Sequence, residues 1–487
     1  MDKKLFRNFA FNIIKTLSSI LYPLITVPYI SRVLTVSDVG MVNFVTSYAD
    51  LFLIVATLGI PTFALREGVK LRNDKDRISE FLSSMFSFAF IIGIVIFFIY
   101  CLSLFLFNGF CGKQSIFLLY GIVILLNAFD VQYVFNIYED FKYVTIRTIF
   151  IQIICLIVLF LMVKTPRDAY WYVITLLISK CGSSVVNFLY SKKYVTWKIS
   201  FSQINKKYMY SIMTYFLISV ASNIYLSADK VMLGFMCTSE IVGLYAAATK
   251  LIQMFRNVIS TISTVCLPRA VHYYQEETMK EYRELIFSII NVILMITIPV
   301  GIGSCCIARN VIMLIFGEPY IKATVAFKIL AFNCIVALIN GILAYQILSP
   351  KKKEKIVCIA TSAGCLINII LNAIYLPVYG QNAAATTTFV SELVTFGIMI
   401  PYCRIGVSLR RVIQAIFQYI IACVPFVAVY LFFKDCINYS VVQLFIFIAF
   451  SILSYFMVLI VTKNEIVNRI YCVIAGWIRS RKPIKEE

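Results

Sequence analysis

Fourteen apolar runs follow one another along the 487-residue chain, separated by short polar connections. A hydrocarbon core about 30 Å thick takes close to 20 helical residues to cross. Inside it no water pairs the backbone N–H and C=O groups, so a run of this length has to satisfy them as a helix. The runs cover 8–33, 40–65, 79–108, 114–138, 143–163, 168–190, 206–233, 242–266, 282–308, 324–349, 354–376, 380–402, 411–433 and 439–461. The expected fold class is therefore all-α, a polytopic membrane protein of about fourteen transmembrane helices. At 61% hydrophobic and 14% charged, the chain also departs from the roughly 25% charged content of a soluble domain.

The net charge of +20 would suggest nucleic acid if the basic residues formed a stripe on a soluble domain, so their placement decides what it means. They concentrate in alternate connections. Counting those in the first two residues of a run with the connection they adjoin, one side carries 30 of the 44 Lys and Arg and the other 6, the remaining 8 lying deeper in the runs. Basic loops stay cytoplasmic, so both termini are expected in the cytoplasm of a bacterial inner membrane, and no nucleic-acid partner is expected. The first run follows Lys3, Lys4 and Arg7 as a signal peptide would, but it is too long and lacks a small-residue cleavage site, so it reads as a retained helix. The connections on the opposite side are short, the longest running from about Arg309 to Ala323, which leaves no external domain for a catalytic site. The fifteen cysteines lie mostly in apolar runs without C-x-x-C spacing, and His272 is the one histidine, so no metal site or cofactor is expected. Past the last run, Ile466, Ile470, Ile474, Trp477 and Ile478 recur at helical spacing among Arg469, Arg479, Arg481 and Lys482, the pattern of a basic amphipathic helix lying on a membrane surface.

A shift of 203 residues places Thr35 on Thr238, Val39 on Val242, Gly40 on Gly243 and Arg66 on Arg269. That shift equals six helices, an even number, so the halves share one orientation about an axis along the membrane normal. The domains expected are an N-lobe over 1–200, a C-lobe over 201–405, two appended helices over 406–462 and the basic tail over 463–487.

Charges inside the runs mark the functional region. Asp50, Lys180, Arg256 and Glu392 fall near the middle of theirs, where each costs about 2.5–3.5 kcal/mol on insertion scales unless it meets protein or water. The alternative is buried ion pairs that only hold helices together. Run 242–266 is the most informative. At 100° per residue, Thr249, Lys250, Gln253, Arg256, Asn257, Ser260 and Thr264 share one arc, opposite Leu251, Ile252, Phe255, Val258, Ile259 and Ile262. Such a stripe suits the wall of a hydrated path for an anionic group. Lys15 and Asp130 lie in the inner third of their runs, and Arg32, Asp229 and Lys230 near the outer boundary, where Arg32 and Lys230 have the reach to snorkel. Pro23, Pro28, Pro61, Pro299 and Pro425 are bending points or passive kinks.

The run from Tyr22-Pro23-Leu24 through Pro28-Tyr29-Ile30-Ser31-Arg32, with Gly40, Leu58-Gly59-Ile60-Pro61 and Arg66-Glu67, resembles the Wzx-type polysaccharide repeat-unit flippases. So do Asp229-Lys230-Val231-Met232-Leu233-Gly234, Gly243 through Lys250, Asn368 through Asn372, Tyr379-Gly380 and Ala383 through Thr387 in the second half. These form the polysaccharide branch of the multidrug/oligosaccharidyl-lipid/polysaccharide exporter superfamily. The resemblance implies a V-shaped, two-lobed, non-enzymatic carrier that moves undecaprenyl-diphosphate-linked oligosaccharide outward by alternating access. Its cationic cavity would draw on Lys180, Lys250 and Arg256, with Lys15, Arg32 and Lys230 as further cations and Gln253, Asn257 and Ser260 as polar lining. Asp50, Glu392, Asp130 and Asp229 are the candidates for a coupling cation, H+ or Na+. Membrane lipids and a polysaccharide polymerase complex are the other partners implied. Rival readings are a lipid II flippase, a multidrug antiporter, whose cationic cargo a Lys/Arg-rich cavity would disfavour, and a membrane polysaccharide polymerase.

Overall fold

The computed structural model describes residues 3–106, 110, 112–202, 206–276, 278–403, 408–433 and 441–468, and among them every regular element is a helix. The tail pattern from Arg469 onward lies outside the described residues. Eleven helical segments are long and apolar enough to cross a membrane. Large apolar side chains such as Phe98, Phe105, Phe432 and Leu453 are exposed on them, as lipid contact requires. The chain is a multi-pass membrane protein. The three runs that separate eleven from the expected fourteen have identifiable causes. Helix α10 (Lys206–Met236) includes side chains outside the described residues, helix α11 (Ser239–Gln275) falls short through its polar residues, and two expected runs merge in α14 (Glu354–Met399), which turns at Gly380 with φ 52° and ψ −127°.

Other boundaries move for physical reasons. The run expected over 40–65 is two helices, α2 (Val36–Thr57) and α3 (Ile60–Leu71), because Leu58 and Gly59 both take left-handed backbone angles and Pro61 sits in the first turn of α3. Helix α12 (Met279–Phe316) continues through most of the stretch expected as the longest outward loop, and a 3-10 turn over Glu318–Ala323 follows Gly317 directly. The run over 114–138 breaks at 127–131 between α5 (Gln114–Leu126) and α6 (Gln132–Ile137). The remaining helices are α1 (Lys3–Val33), α4 (Lys75–Leu106), α7 (Phe141–Met162), α8 (Ala169–Leu177), α9 (Ser183–Ser191), α13 (Thr324–Gly341), α15 (Leu409–Phe433) and α16 (Val441–Val461).

By internal packing the helices fall into two compact units, Met1–Ala246 with Asn372–Gln381, and Ala247–Leu371 with Asn382–Glu487. The division expected at 200/201 differs from this because α10 packs on α2 in the first unit, with Gly234 so close to the Phe44 ring that a Cβ there would sit 2.1 Å from it. A second core of that unit gathers Phe63, Ile78, Phe81, Met85, Val134 and Ile212. In the second unit α15 and α16 pack on α12 through Ile298, Tyr419, Phe426, Phe447 and Tyr455, with the Tyr455 hydroxyl donating to the Met295 carbonyl at 2.8 Å.

An extended segment leads from α9 toward α10, and it is pinned along α4. The backbone N–H groups of Thr196, Lys198 and Ser200 donate to the hydroxyls of Ser79, Ser83 and Ser87, each at 3.1 Å. Four helical residues rise about 6 Å and two extended residues about 6.6 Å, so a serine every fourth position meets every second N–H. The segment's backbone is thereby satisfied without a β-sheet. Its neighbour Tyr194 donates to Asp140 at 2.8 Å, and burial together with that carboxylate pushes the phenol's pKa up.

The tightest helix approach in the first unit joins the start of α2 to the start of α11. A Cβ on Gly40 would lie 1.7 Å from the Ser239 carbonyl, and one on Gly243 would lie 2.2 Å from the Val36 carbonyl. Val36 and Ser239 are separated by the same 203 residues as the two glycines, so the contact is reciprocal and glycine is required on both sides. Gly40→Ala and Gly243→Ala should each force these helices apart and destabilise the protein by about 1–3 kcal/mol, as overpacking does. Gly303→Ala, with nothing within 4 Å, is the control and should leave the thermal midpoint in detergent unchanged; equal midpoints for all three variants would refute the close approach.

Candidate functional site

Expected site residues of the first unit fall into three groups among the described residues. Lys180 lies on a π-helical segment, Ile178–Gly182, inserted between α8 and α9. The wider turn aims its Nζ at Asp50 Oδ1 of α2, 2.6 Å away, with the Tyr120 ring centroid at 6.0 Å. Both partners remain partly open, at 43% and 37% side-chain exposure. Two intramembrane charges that were expected to serve as substrate cation and coupling acid are thus brought together as one ion pair.

The second group sits at the end of the unit where α1 and α7 begin. Asp130 occupies the break between α5 and α6, is exposed, and accepts the Asn187 amide at 2.8 Å. Half-buried Lys15 of α1 and buried Arg147 of α7 both lie within its electrostatic reach and within each other's. Arg147 donates from Nη2 to Gln132 Oε1 at 3.0 Å and to the Thr148 hydroxyl at 3.4 Å, while its Nε has no partner.

The third group is around Asp229 of α10, 4% exposed, which accepts the Tyr245 hydroxyl at 2.6 Å and the Asn372 amide at 2.7 Å. Lys230 beside it is half-buried. Arg32 is exposed in the last turn of α1, where a cation complements the helix carbonyl end.

In the second unit α11 presents the expected stripe. Lys250, Gln253, Asn257 and Ser260 are exposed and Thr249 and Arg256 half-buried, while Leu251, Ile252 and Ile259 are buried on the packed side. Phe255 and Val258, placed on the apolar face by periodicity, are also exposed, so packing covers a narrower strip than the apolar arc. The Thr264 side chain lies outside the described residues. Among the described residues neither Lys250 nor Arg256 has an ion pair or hydrogen bond. Glu392 of α14 is 8% exposed and accepts the Asn340 amide at 2.6 Å. Cys334 lies within electrostatic reach of both Glu392 and Arg256.

A family model described as polysaccharide biosynthesis protein matches residues 5–273. The chain belongs to that family. It is also 23% identical over 250 residues to the probable low-salt glycan biosynthesis flippase Agl15 of Haloferax volcanii, covering 50% of this chain and 53% of that protein. The chain thus spans about half the length of this curated relative. Among solved structures it is similar to the lipid II flippase MurJ in an inward closed conformation, with a TM-score of 0.75 and 15% identity over 94% of this chain and all of that one. An inward-facing multidrug resistance MATE family transporter of the MOP superfamily gives a TM-score of 0.59 and 12% identity over 81% of this chain and 94% of that one. At these identities the likeness is one of fold, and this member of the polysaccharide biosynthesis family has the helical fold of MOP-superfamily transporters.

Two site residues escape sequence reasoning. Arg147, two turns into α7, looks like a boundary cation by position, whereas its burial is decided by α1 and by the break at 127–131. Gln346 lies on a second π segment, Ile342–Leu348, which turns its amide to the Ser263 carbonyl at 2.6 Å, and no periodicity marks that turn. For the ion pair, the loss of stability in Asp50→Asn and in Lys180→Gln should be largely shared, so that the double variant is little worse than either. Because both groups are partly solvated, the coupling should be about 0.5–1 kcal/mol in a double-mutant cycle read by thermal unfolding. Strictly additive losses would mean the two charges act separately.

Proposed function

We propose that this protein is a flippase that carries undecaprenyl-diphosphate-linked oligosaccharide units of a surface polysaccharide, such as O-antigen, capsule or exopolysaccharide, from the cytoplasmic to the outer face of a bacterial cytoplasmic membrane. The observation that carries the reading is the polar face of α11, on which Lys250 is exposed and Arg256 half-buried without a counter-ion among the described residues. Family membership and the transporter fold support it. A cation in low dielectric needs either a fixed anion or an accessible one, and here the anion belongs to the cargo. The prenyl tail stays in the lipid while the diphosphate and sugars follow the polar face. Gln253, Asn257 and Ser260 offer hydrogen bonds to sugar hydroxyls along the way.

No bond is made or broken. With the cell interior negative, moving about two negative charges outward gains on the order of 4.6 kcal/mol per 100 mV, from about 2.3 per charge. Return of the empty carrier then requires a step of its own, for which Asp50, Asp130, Asp229 and Glu392 are the acids able to bind H+ or Na+. Delivery on the outer face suits hand-over to a polysaccharide polymerase.

Lys250→Ala together with Arg256→Ala should abolish surface polysaccharide while leaving the amount of protein in the membrane unchanged, as read by immunoblot and glycan staining. Normal polysaccharide in that strain would defeat the proposal, and lysis on deleting the gene would assign the cargo to peptidoglycan precursors instead.

A further inference from the structure

We propose that Lys15 and Arg147 form a diphosphate-binding subsite within the first unit, in which Asp130 is a built-in counter-ion that a bound diphosphate displaces; this deepens the flippase reading and rests on it. Three observations converge on the cluster. Arg147 is 7% exposed, yet its Nε donates to nothing. The ammonium of Lys15, half-buried on a different helix, likewise has no hydrogen bond or ion pair among the described residues. Asp130 acts electrostatically on both cations, yet no ion pair joins it to either, and its hydrogen bond is to the neutral Asn187 amide.

A lone carboxylate within electrostatic reach of two cations leaves one positive charge uncompensated and two sets of donors short of acceptors. A buried N–H without an acceptor is destabilising, and native structures rarely keep one without a reason. A diphosphate supplies what is missing: more than one negative charge, and oxygens on two phosphorus centres able to meet donors on α1 and α7 together. Guanidinium N–H groups match phosphoryl oxygens in geometry as well as charge, and Gln132 already fixes the plane of this one through Nη2. Asp130 gives the subsite an open side. It is exposed, it sits where regular helix stops, and it is held by an amide rather than clamped by a cation, so an arriving anion has a weak partner to displace. With the subsite empty, the carboxylate tempers the repulsion between Lys15 and Arg147.

The test is titration calorimetry on the full-length protein in detergent, with farnesyl diphosphate as a prenyl diphosphate and with inorganic pyrophosphate. Arg147→Gln should weaken prenyl diphosphate binding about tenfold or more, as loss of a charge-assisted contact does. Lys15→Gln should weaken it less, and Arg147→Lys should keep only part of the affinity. Asp130→Asn should tighten it severalfold, a gain that no folding defect produces. Equal binding of pyrophosphate would mean that the phosphoryl groups alone are read, and tighter binding of the prenyl compound that the lipid is read as well; both sustain the subsite. Unchanged affinity in Arg147→Gln, or weaker binding in Asp130→Asn, overturns it. The two proposals fail separately: export lost with Lys250 and Arg256 but diphosphate affinity indifferent to Arg147 and Asp130 removes only the subsite, whereas affinity that follows these two residues alongside normal export in the α11 variant removes only the flippase reading.

Discussion

Backbone hydrogen bonding in a solvent that offers none is the constraint on which everything else in this protein depends. It makes regular helix the default and every interruption expensive, since the freed N–H and C=O groups must find partners inside the protein. The interruptions are few, and three of them carry polar residues of the candidate site. Asp130 lies in the break at 127–131, Lys180 on the π segment 178–182 and Gln346 on the π segment 342–348. A π turn rotates the following residues relative to the preceding ones, which lets Lys180 reach Asp50 without displacing the packed faces on either side. Outside the candidate spans, the serine ladder on α4 pins the one extended segment described between α9 and α10 by meeting its backbone with side-chain hydroxyls.

Apolar run length was enough to place most helices, because a membrane helix declares itself by composition over 20 residues. The places where it failed are instructive. Gly59 and Pro61 are strong breakers that lie within an apolar run, so hydropathy reads through them while the backbone turns. The polar content that makes α11 informative is also what lowers its apolarity below that of its neighbours. Gly40 and Gly243, which the 203-residue shift aligns, meet at one close helix crossing that leaves no room for a larger residue on either side.

The site was legible as a set of residues and not as a set of partners. Asp50 and Lys180 stand 130 positions apart and no local pattern links them. Periodicity gathered Lys250, Gln253, Asn257 and Ser260 onto one face because all lie on one helix, the circumstance in which spacing fixes geometry. Arg147 was invisible for the complementary reason: its environment is assembled from α1, the start of α6 and the break before it, none of which is local to it.

Intramembrane charge by itself does not distinguish a carrier from a well-glued bundle; the pattern of compensation does. The acids Asp229 and Glu392 are sealed, each taking hydrogen bonds from amide or hydroxyl donors at under a tenth exposure. Asp50 is more open but spends its charge on Lys180, and Asp130, the most exposed of the four, faces two cations. The cations are arranged the other way, with Lys250 open and Arg256 partly so, and no carboxylate paired with either among the described residues. A cationic cargo would meet repulsion at the accessible cations of α11. An anionic one meets unpaired donors first, and in a medium of low dielectric that difference in sign outweighs any contribution from the neutral polar residues beside it.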